Sequence, residues 1–201
     1  MEHRPHIGII GEGPVGTALA EGLRRAGYEV ETSGHDSERV ERVAAASDTI
    51  ILAVPHAERK NAVKEMGKNH RGKTIIDVSN VVGPEMSFAG NPRKSSAEEL
   101  QGWLKDAKVV KAFNTVFARD MTEGRIDGEP LAALVAGDDP AAKQQVKELA
   151  QAIGFQPADA GPLENARWLE ALGYLNIRMA YQDPKVGPDF GFKLLSHHHG
   201  A

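Results

Sequence analysis

The feature that most constrains how this chain can fold is a glycine-rich loop set between an apolar run and a helical pattern. Residues 6–10 (HIGII) form the apolar run, and Gly11, Gly13 and Gly16 follow it with the spacing G-x-G-x-x-G. Apolar side chains then recur at helical spacing over residues 15–26, and a glycine ends that pattern. A second strand pattern follows within the roughly thirty residues of a strand–helix–strand unit. We therefore expect the loop to join the first strand of an α/β fold to its first helix.

Each glycine of this loop has its own physical role in binding a dinucleotide. Gly11 permits a tight turn, Gly13 lets the backbone approach a pyrophosphate, and Gly16 lets the helix pack closely on the strand. A pyrophosphate at this place would meet free N–H groups and the positive end of the helix dipole. The alternative is a glycine turn that only links strand and helix. The strand–loop–helix context favours dinucleotide binding.

Short apolar runs alternate with helical patterns along the rest of the chain. Strands are predicted at residues 6–10, 28–33, 49–54, 74–78, 108–112, 131–136 and 155–158, and helices at 15–26, 37–46, 58–66, 96–105, 140–153 and 162–182. Ser37 and Ser96 are the predicted N-caps of two helices, with Ser96 in a capping box with Glu99. Apolar strands that alternate with helices predict a doubly wound parallel α/β sheet with both faces covered, the Rossmann architecture.

The length of 201 residues suits one large domain with a small appendage. We expect a dinucleotide-binding domain over residues 1–160, and a C-terminal helix and tail with a disordered end over 161–201. Apolar residues over 163–181 exceed what one contact between a helix and a sheet needs, which predicts packing against a twin subunit as well; one-sided core packing in a monomer is the alternative. The loop at 82–96 is rich in Gly and Pro, and such long loops often border functional sites.

Composition argues against several classes of function. The chain has no cysteine, which excludes disulfides, thiolate metal sites and cysteine nucleophiles and is typical of a cytoplasmic protein. The net charge is −4 with no long basic run, so we expect no nucleic-acid partner. No uncharged apolar run reaches about eighteen residues and no secretion signal is evident, so we expect no membrane span. We expect no metal site, and we interpret His197, His198 and His199 as a tag remnant or a tail.

The end of the second predicted strand bears on the choice between NAD and NADP. NAD-binding folds usually carry an acidic residue there, which binds the ribose hydroxyls. That place falls at about Gly34, which has no carboxylate, while Ser33, His35 and Arg39 could donate to a 2′-phosphate. Acidic residues flank the segment and weigh in the other direction. The sequence favours NADP and leaves NAD open.

Ligands of such sheets lie beyond the carboxyl ends of the strands. The residues predicted to line that groove are Ala53, Val54, Pro55, His56, Ser79, Asn80, Ala112, Asn114 and Thr115. The sequence shows no Ser-His-Asp set and no pair of catalytic carboxylates. His56 is the one candidate for a general acid, and a helix-capping role is its alternative. Hydride transfer between two redox rings needs proximity and alignment more than an acid or base, whereas oxidation of an alcohol needs a proton acceptor.

Several segments of the chain resemble the family of NADP oxidoreductases that depend on coenzyme F420. They are GEGPVG at 11–16, AVP at 53–55, KAFNT at 111–115, AGDD at 136–139, DAGPLENARWLEALGYLNI at 159–177 and GFKLL at 191–195. The chain is also similar to the reductase domains of six-transmembrane ferric reductases, which share the KAFN segment and use a flavin. The N-terminal domains of pyrroline-5-carboxylate reductases are more distantly similar.

The resemblance implies an NADP-binding domain, a homodimer, and hydride exchange between NADPH and a deazaflavin or flavin ring (F420, FMN or FAD). It implies that the pyrophosphate is held by Gly11, Glu12, Gly13, Pro14, Val15 and Gly16. It also implies that residues 33–35 hold the 2′-phosphate and that Val54 and Pro55 border the ribose. The residues implied to approach the nicotinamide are Asn114, Thr115, Val116 and Ala118.

Three functions stay open at this point. The first is an NADP-dependent oxidoreductase that reduces F420 or a flavin. The second is a binding module without turnover that senses the NADPH/NADP ratio. The third is an imine or carbonyl reductase with His56 as the acid. An enzyme needs an open pocket over the nicotinamide, whereas a sensor could fill that pocket, and Phe117 is the residue most able to do so.

Overall fold

The structure contains every strand and helix that the sequence predicts, in the predicted order, together with short elements that the sequence does not predict. The computed structural model describes residues 4–91, 93–182 and 187–195. The histidines at 197–199 and the end predicted to be disordered lie outside these residues. The strands of the main sheet are β1 (Ile7–Ile10), β2 (Val30–Ser33), β3 (Thr49–Leu52), β4 (Thr74–Asp77), β5 (Lys108–Lys111), β8 (Ala132–Gly137) and β9 (Gln156–Asp159). The helices are α1 (Pro14–Arg25), α2 (Ser37–Ala46), α3 (Arg59–Met66), α4 (Ser96–Trp103), α5 (Ala118–Met121), α6 (Pro140–Ile153) and α7 (Ala166–Gln182).

The main sheet has seven strands in the order β2-β1-β3-β4-β5-β8-β9, with helices on both faces. β1 lies parallel between β2 and β3, with Ile9 opposite Thr32 on one side and opposite Ile51 on the other. The strand order therefore reverses at β1, and in such sheets the crevice for a ligand opens at the carboxyl ends of the strands at this point. The predicted doubly wound architecture is confirmed.

One part of the predicted topology is wrong, because β8 runs antiparallel to β5. A parallel neighbour needs a crossover that carries the chain back along the whole sheet. Between these strands the chain forms only the four-residue α5 and a hairpin of β6 (Arg125–Ile126) and β7 (Glu129–Pro130), neither of which the sequence predicts. The chain therefore re-enters the sheet in the reverse direction, and α6 then connects β8 to a parallel β9.

The two faces of the sheet carry separate apolar clusters. Leu19 and Leu23 of α1 pack with Val146 and Leu149 of α6 on one face. α2 and α4 cover the other face, where Leu100 is fully buried. All four residues of β1 and of β3 are buried, which explains why their sequences read as continuous apolar runs.

Two predicted N-caps are each displaced by one residue. Asp36, not Ser37, caps α2, with its side chain accepting from the Arg39 N–H. Ser95, not Ser96, caps α4 and forms the capping box with Glu98 rather than Glu99. In each case two adjacent residues can cap, and the N-cap is the one whose backbone is extended, since the next residue is already helical.

The predicted helix at 162–182 is a 3-10 turn at Leu163–Asn165 followed by α7. The predicted loop at 82–96, apart from Pro92, which is not described, holds a short 3-10 turn at Pro84–Met86 and packs against α7 through the rings of Phe88 and Tyr174. Residues 187–195 return along β8, where the Ala132 N–H donates to the Phe192 carbonyl. The domain boundary at residue 160 stays a prediction. Within the described ranges, no helix combines the length and apolar character needed to cross a bilayer.

Candidate functional site

The three glycines of the loop differ in how much room a side chain would have at each position. Gly11 has φ +114°, and a Cβ there would lie 2.2 Å from the Ala53 carbonyl oxygen. A Cβ at Gly16 would lie 1.9 Å from the Gly11 carbonyl oxygen, whereas a Cβ at Gly13 would meet nothing within 4 Å. Close packing therefore requires glycine at positions 11 and 16. Gly13 faces open space, where a ligand can approach the backbone.

A groove of about 250 Å³ opens above this loop. Its lining residues are Gly13, Pro14, Val15, Ala53, Val54, Pro55, Val78, Ser79 and Asn80. Gly13 is the N-cap of α1, so no side chain caps this helix, and no acidic residue stands in its first turn. The first N–H groups of α1 are thus left for an anion, and the positive end of the helix dipole points at the groove. These features fit the pyrophosphate of a dinucleotide.

A second cavity, of about 300 Å³, adjoins the groove and shares Val15 and Asn80 with it; we call it the ring cavity. Its other lining residues are Val82, Met86, Asn114, Val116, Phe117, Ala118, Gly173, Asn176, Ile177 and Tyr181. Most of these side chains are apolar. Among the described lining residues, the only ionisable side chain is that of Tyr181, which is 68% exposed. The cavity therefore provides apolar walls and amide groups, and no buried acid or base.

A pair of asparagines forms the floor where the groove meets the ring cavity. The Asn80 side chain donates to the Asn114 carbonyl at 2.8 Å, and the Asn114 side chain donates to Asn80 Oδ1 at 3.0 Å. The preceding Phe113 has φ +63°, a left-handed conformation that is strained for an aromatic residue. This conformation turns the chain at the end of β5 and directs Asn114 toward Asn80.

α7 closes the ring cavity from above and depends on one glycine to do so. A Cβ at Gly173 would lie 2.2 Å from Asn80 Oδ1 and 2.6 Å from Asn114 Nδ2. Asn176, one turn further along, donates to the Thr115 carbonyl at 2.9 Å. The Oδ1 atoms of Asn114 and Asn176 are buried without a hydrogen-bond partner among the described residues. Two acceptors are thus left for a ligand at the cavity.

A buried cluster of charged side chains, which the sequence patterns do not predict, lies beneath the site. Lys111 Nζ lies 3.0 Å from Asp77 Oδ2 and 3.7 Å from Glu170 Oε1, and all three side chains are buried. Arg59, also buried, lies 4.0 Å from Asp77 Oδ2. A signal was present, because Asp77 and Lys111 interrupt the apolar ends of β4 and β5 and are opposite each other in register. These charges compensate one another in the interior, as buried ions require.

This cluster fixes the backbone that leads to Asn80. The N–H and the hydroxyl of Ser79 donate to Asp77 Oδ1 at 2.9 and 2.7 Å, and Lys111 Nζ donates to the Ser79 carbonyl. Burial acts to raise the pKa of Asp77, but Lys111, Arg59 and the Ser79 bonds outweigh it and hold that pKa below its usual value. The carboxylate therefore stays ionised and retains these bonds.

Glu170 joins α7 to the same cluster. Its carboxylate accepts from the N–H groups of Ser96 and Ala97 at 3.0 and 3.1 Å, so it caps the N-terminus of α4 from another helix. Burial raises the pKa of Glu170 above its usual value, and Lys111 and these N–H donors only partly offset the rise. The helix that closes the ring cavity is thus tied to the sheet through buried charge.

At the carboxyl end of β2, the structure brings a carboxylate to a place where the sequence indicated none. Glu12 extends from the glycine loop, accepts from the Thr32 hydroxyl at 2.8 Å and pairs with Arg39 at 3.2 Å. A Cβ at Gly34 would lie 2.9 Å from Glu12 Oε2, so the carboxylate occupies the space that this glycine leaves. Ser33 is fully buried, and its hydroxyl has no partner in the described part of the chain.

His56 lines neither the groove nor the ring cavity. It lies in the 3-10 turn before α3, with Nδ1 3.3 Å from the Ser96 hydroxyl, and lines a different cavity between α3 and α4. Burial and the neighbouring Arg59 lower its pKa, which favours the neutral ring. Ala112 and Thr115 are buried and line neither the groove nor the ring cavity. The described residues hold no cluster of three side chains that could bind a metal.

Comparison with known proteins finds similarity to proteins that are named reductases. No protein-family model matches the chain. Metalloreductase STEAP3 of Rattus norvegicus is 31% identical over 180 residues, covering 84% of this chain and 36% of that protein. The chain thus spans about a third of the length of that metalloreductase. The F420-dependent NADP reductase of Methanocaldococcus jannaschii is 29% identical over 161 residues, covering 77% of this chain and 70% of that protein.

A solved structure agrees over a still larger part of the chain. The protein of Arthrobacter sp. FB24 that is provisionally named an F420-dependent NADP reductase superimposes with a TM-score of 0.87. The match covers 96% of this chain and 100% of that chain, at 27% sequence identity. The likeness therefore includes the C-terminal part of the fold as well as the glycine loop.

Proposed function

The chain belongs to the family of coenzyme F420-dependent NADP reductases, and from this premise we propose that it transfers hydride between NADPH and a deazaflavin or flavin ring. The observation that carries the proposal is the ring cavity, which is open, mostly apolar and adjoins the groove over the glycine loop. A cavity of this kind suits a flat apolar ring, and hydride transfer between two rings needs no acid or base from the protein.

The residues of the groove fit a dinucleotide. Gly13 and the uncapped N-terminus of α1 would hold the pyrophosphate, with Val54 and Pro55 against the adjoining ribose. At the other end, the unpartnered Oδ1 atoms of Asn114 and Asn176 would accept from a carboxamide. When bound, NADPH supplies a hydride from its nicotinamide ring.

The walls of the ring cavity would exclude water and hold the acceptor ring. Val82 and Met86 form one wall, from the loop after β4, and Ile177 of α7 forms another. Met86 is held by the Tyr174 hydroxyl, which donates to its carbonyl at 2.9 Å. Such apolar walls favour contact between stacked rings over solvation of either ring, which supports alignment for transfer.

The two other functions have less support. Phe117 lines the wall of the ring cavity, with its ring 5.6 Å from that of Phe190, and does not fill the cavity. A binding module without turnover could instead have this side chain inside the cavity. His56 does not line the ring cavity, which removes the acid that an imine or carbonyl reductase would use there. Turnover with a ring acceptor is the function we favour.

Among ring acceptors, we place F420 before FMN or FAD. The reductase named for F420 is covered over 70% of its length, and the matching solved structure is covered completely. The match covers only about a third of each metalloreductase, so most of each of those proteins has no counterpart in this chain. A flavin is the second candidate, because the resemblance of the KAFN segment at 111–114 to that of ferric reductases implies one.

The proposal is tested by mixing the protein anaerobically with NADPH and F420, FMN or FAD, and following the absorbance of both rings. Equimolar oxidation of NADPH and reduction of F420 is the expected result. Ile177→Trp, which fills the ring cavity, should retain NADPH binding and lose transfer, while Ile177→Ala should retain both. If NADPH binds and no acceptor oxidises it, the binding-module hypothesis replaces this one.

For the assembly we propose a homodimer. Trp168, Leu175 and Met179 share one side of α7 and are 66%, 53% and 41% exposed. An outward apolar face of this size supports burial against a second copy of the chain. Light scattering across a range of protein concentrations should report a dimer, and Leu175→Lys should shift it to a monomer. A monomeric wild-type protein would contradict this assembly.

A further inference from the structure

The carboxylate of Glu12 stands at the carboxyl end of β2, although Glu12 belongs to the glycine loop. Its Oε1 accepts from Thr32, a β2 residue, and its Oε2 lies over Gly34. In dinucleotide-binding sheets, the acidic residue that binds the ribose hydroxyls of NAD stands at this end of the second strand. The chain thus presents an acid at the usual place from an unusual position in the sequence.

Gly34 is what allows this arrangement. Any Cβ at position 34 would lie 2.9 Å from Glu12 Oε2 and would displace the side chain. The absence of a side chain at Gly34 therefore does not leave the space empty for a phosphate, because Glu12 already occupies it.

The charges around Gly34 are mainly negative. Arg39 is the cation in contact with Glu12, at 3.2 Å. Glu58 and Glu65 line the small cavity beside Gly34 and His35. Asp36 caps α2 immediately beyond. A 2′-phosphate, with a charge of about −2 near neutral pH, would have to take Arg39 from Glu12 and would face these carboxylates. A 2′-hydroxyl would instead donate a hydrogen bond to Glu12.

We infer that Glu12 is a specificity-determining residue whose carboxylate accepts the ribose hydroxyls of NADH and competes with the 2′-phosphate of NADPH for Arg39. The groove therefore takes NADH as well as NADPH, with little discrimination between them. This inference rests on the proposed function for the presence of a dinucleotide in the groove, and it concerns binding alone. It makes no demand on the identity of the hydride acceptor.

The experiment is titration calorimetry of NADPH and NADH with the wild type, Glu12→Gln and Glu31→Gln. Glu31 is a matched control, since it is an exposed acid on β2 that lies outside the contacts of Glu12. We expect the wild type to bind the two dinucleotides within about tenfold of each other. Glu12→Gln should shift the ratio of dissociation constants toward NADPH by about tenfold or more, which corresponds to about 1.4 kcal/mol. Glu31→Gln should shift it by less than about threefold.

The outcomes separate this inference from the proposed function. A ratio that does not respond to Glu12→Gln, or that responds equally to Glu31→Gln, overturns the inference and leaves hydride transfer standing. Binding of NADPH alone by the wild type also overturns it. A responsive ratio in a protein that transfers no hydride overturns the proposed function alone. If the wild type binds neither dinucleotide, both fail.

Discussion

Lys111 Nζ lies 3.0 Å from Asp77 Oδ2, and neither side chain has any exposed surface. The two residues are opposite each other in the pairing of β4 and β5, and Glu170 of α7 completes the cluster 3.7 Å from Lys111. One ammonium group thus links two strands to the helix that closes the ring cavity. The stability of the fold and the position of Asn80 depend on the same contact.

Replacement of Lys111 by Met should be strongly destabilising, because it leaves the buried Asp77 and Glu170 without their shared cation. We expect a loss of about 3–5 kcal/mol in the free energy of unfolding. Lys108→Met is the matched control, since Lys108 is on the same strand but pairs with Asp139 at the surface. That variant should lose less than about 1 kcal/mol. Urea unfolding measures both, and equal losses would show that the buried cluster adds no stability.

Gly173→Ala should lower stability although alanine is the better helix former. Its Cβ would clash with Asn80 and Asn114, and such overpacking costs about 1–3 kcal/mol. In contrast, a Cβ at Gly102 of α4 would meet only the Lys94 ammonium at 3.9 Å. Gly102→Ala should therefore range from neutral to a gain of about 1 kcal/mol. Thermal unfolding compares the pair, and a stabilised Gly173→Ala would contradict the close approach of α7.

Gly13→Ala and Gly16→Ala should separate binding from folding. A Cβ at Gly13 faces open space, so Gly13→Ala should stay within about 0.5 kcal/mol of wild-type stability. It should weaken NADPH binding by about tenfold or more, or about 1.4 kcal/mol, because the methyl group would stand where we propose that the pyrophosphate approaches. Gly16→Ala should lose about 1–3 kcal/mol of stability through its clash with Gly11. Unimpaired NADPH binding by Gly13→Ala would show that the pyrophosphate does not bind at this loop.

His56 should contribute a measurable pH dependence to stability. Burial, followed by Arg59, lowers the pKa of His56 in the folded protein below its value of 6.5 in the unfolded chain. Between the two pKa values the unfolded chain binds more protons than the folded protein. The free energy of unfolding therefore decreases as the pH falls below about 6.5. His56→Gln should lack this dependence, so in urea unfolding the wild type should lose more stability than the variant as the pH falls over that range. The same variant should retain hydride transfer to a ring acceptor, whereas an imine reductase that uses His56 would lose activity.

Features with a local physical cause could be predicted from the sequence. β1 and β3 are mainly apolar because both faces of the sheet are covered there, and α1 follows a loop in which close packing requires Gly11 and Gly16. The N-caps were missed by one residue because adjacent residues at each helix start can both cap, and only the backbone conformation selects one. The reversal at β8 was missed because strand direction depends on the path of the connection, which leaves no periodic pattern.

The sequence by itself therefore determined the α/β class and the strand–loop–helix unit, since each follows from patterns of residues close in the chain. Tertiary structure decided the contacts between distant segments. It brought Glu12 over Gly34, set Asn114 against the Leu169 carbonyl 55 residues away, buried Lys111 beside Asp77 and Glu170, and kept His56 out of the ring cavity. Such contacts depend on the directions of side chains after the sheet and α7 have packed, and no local pattern of residues encodes those directions.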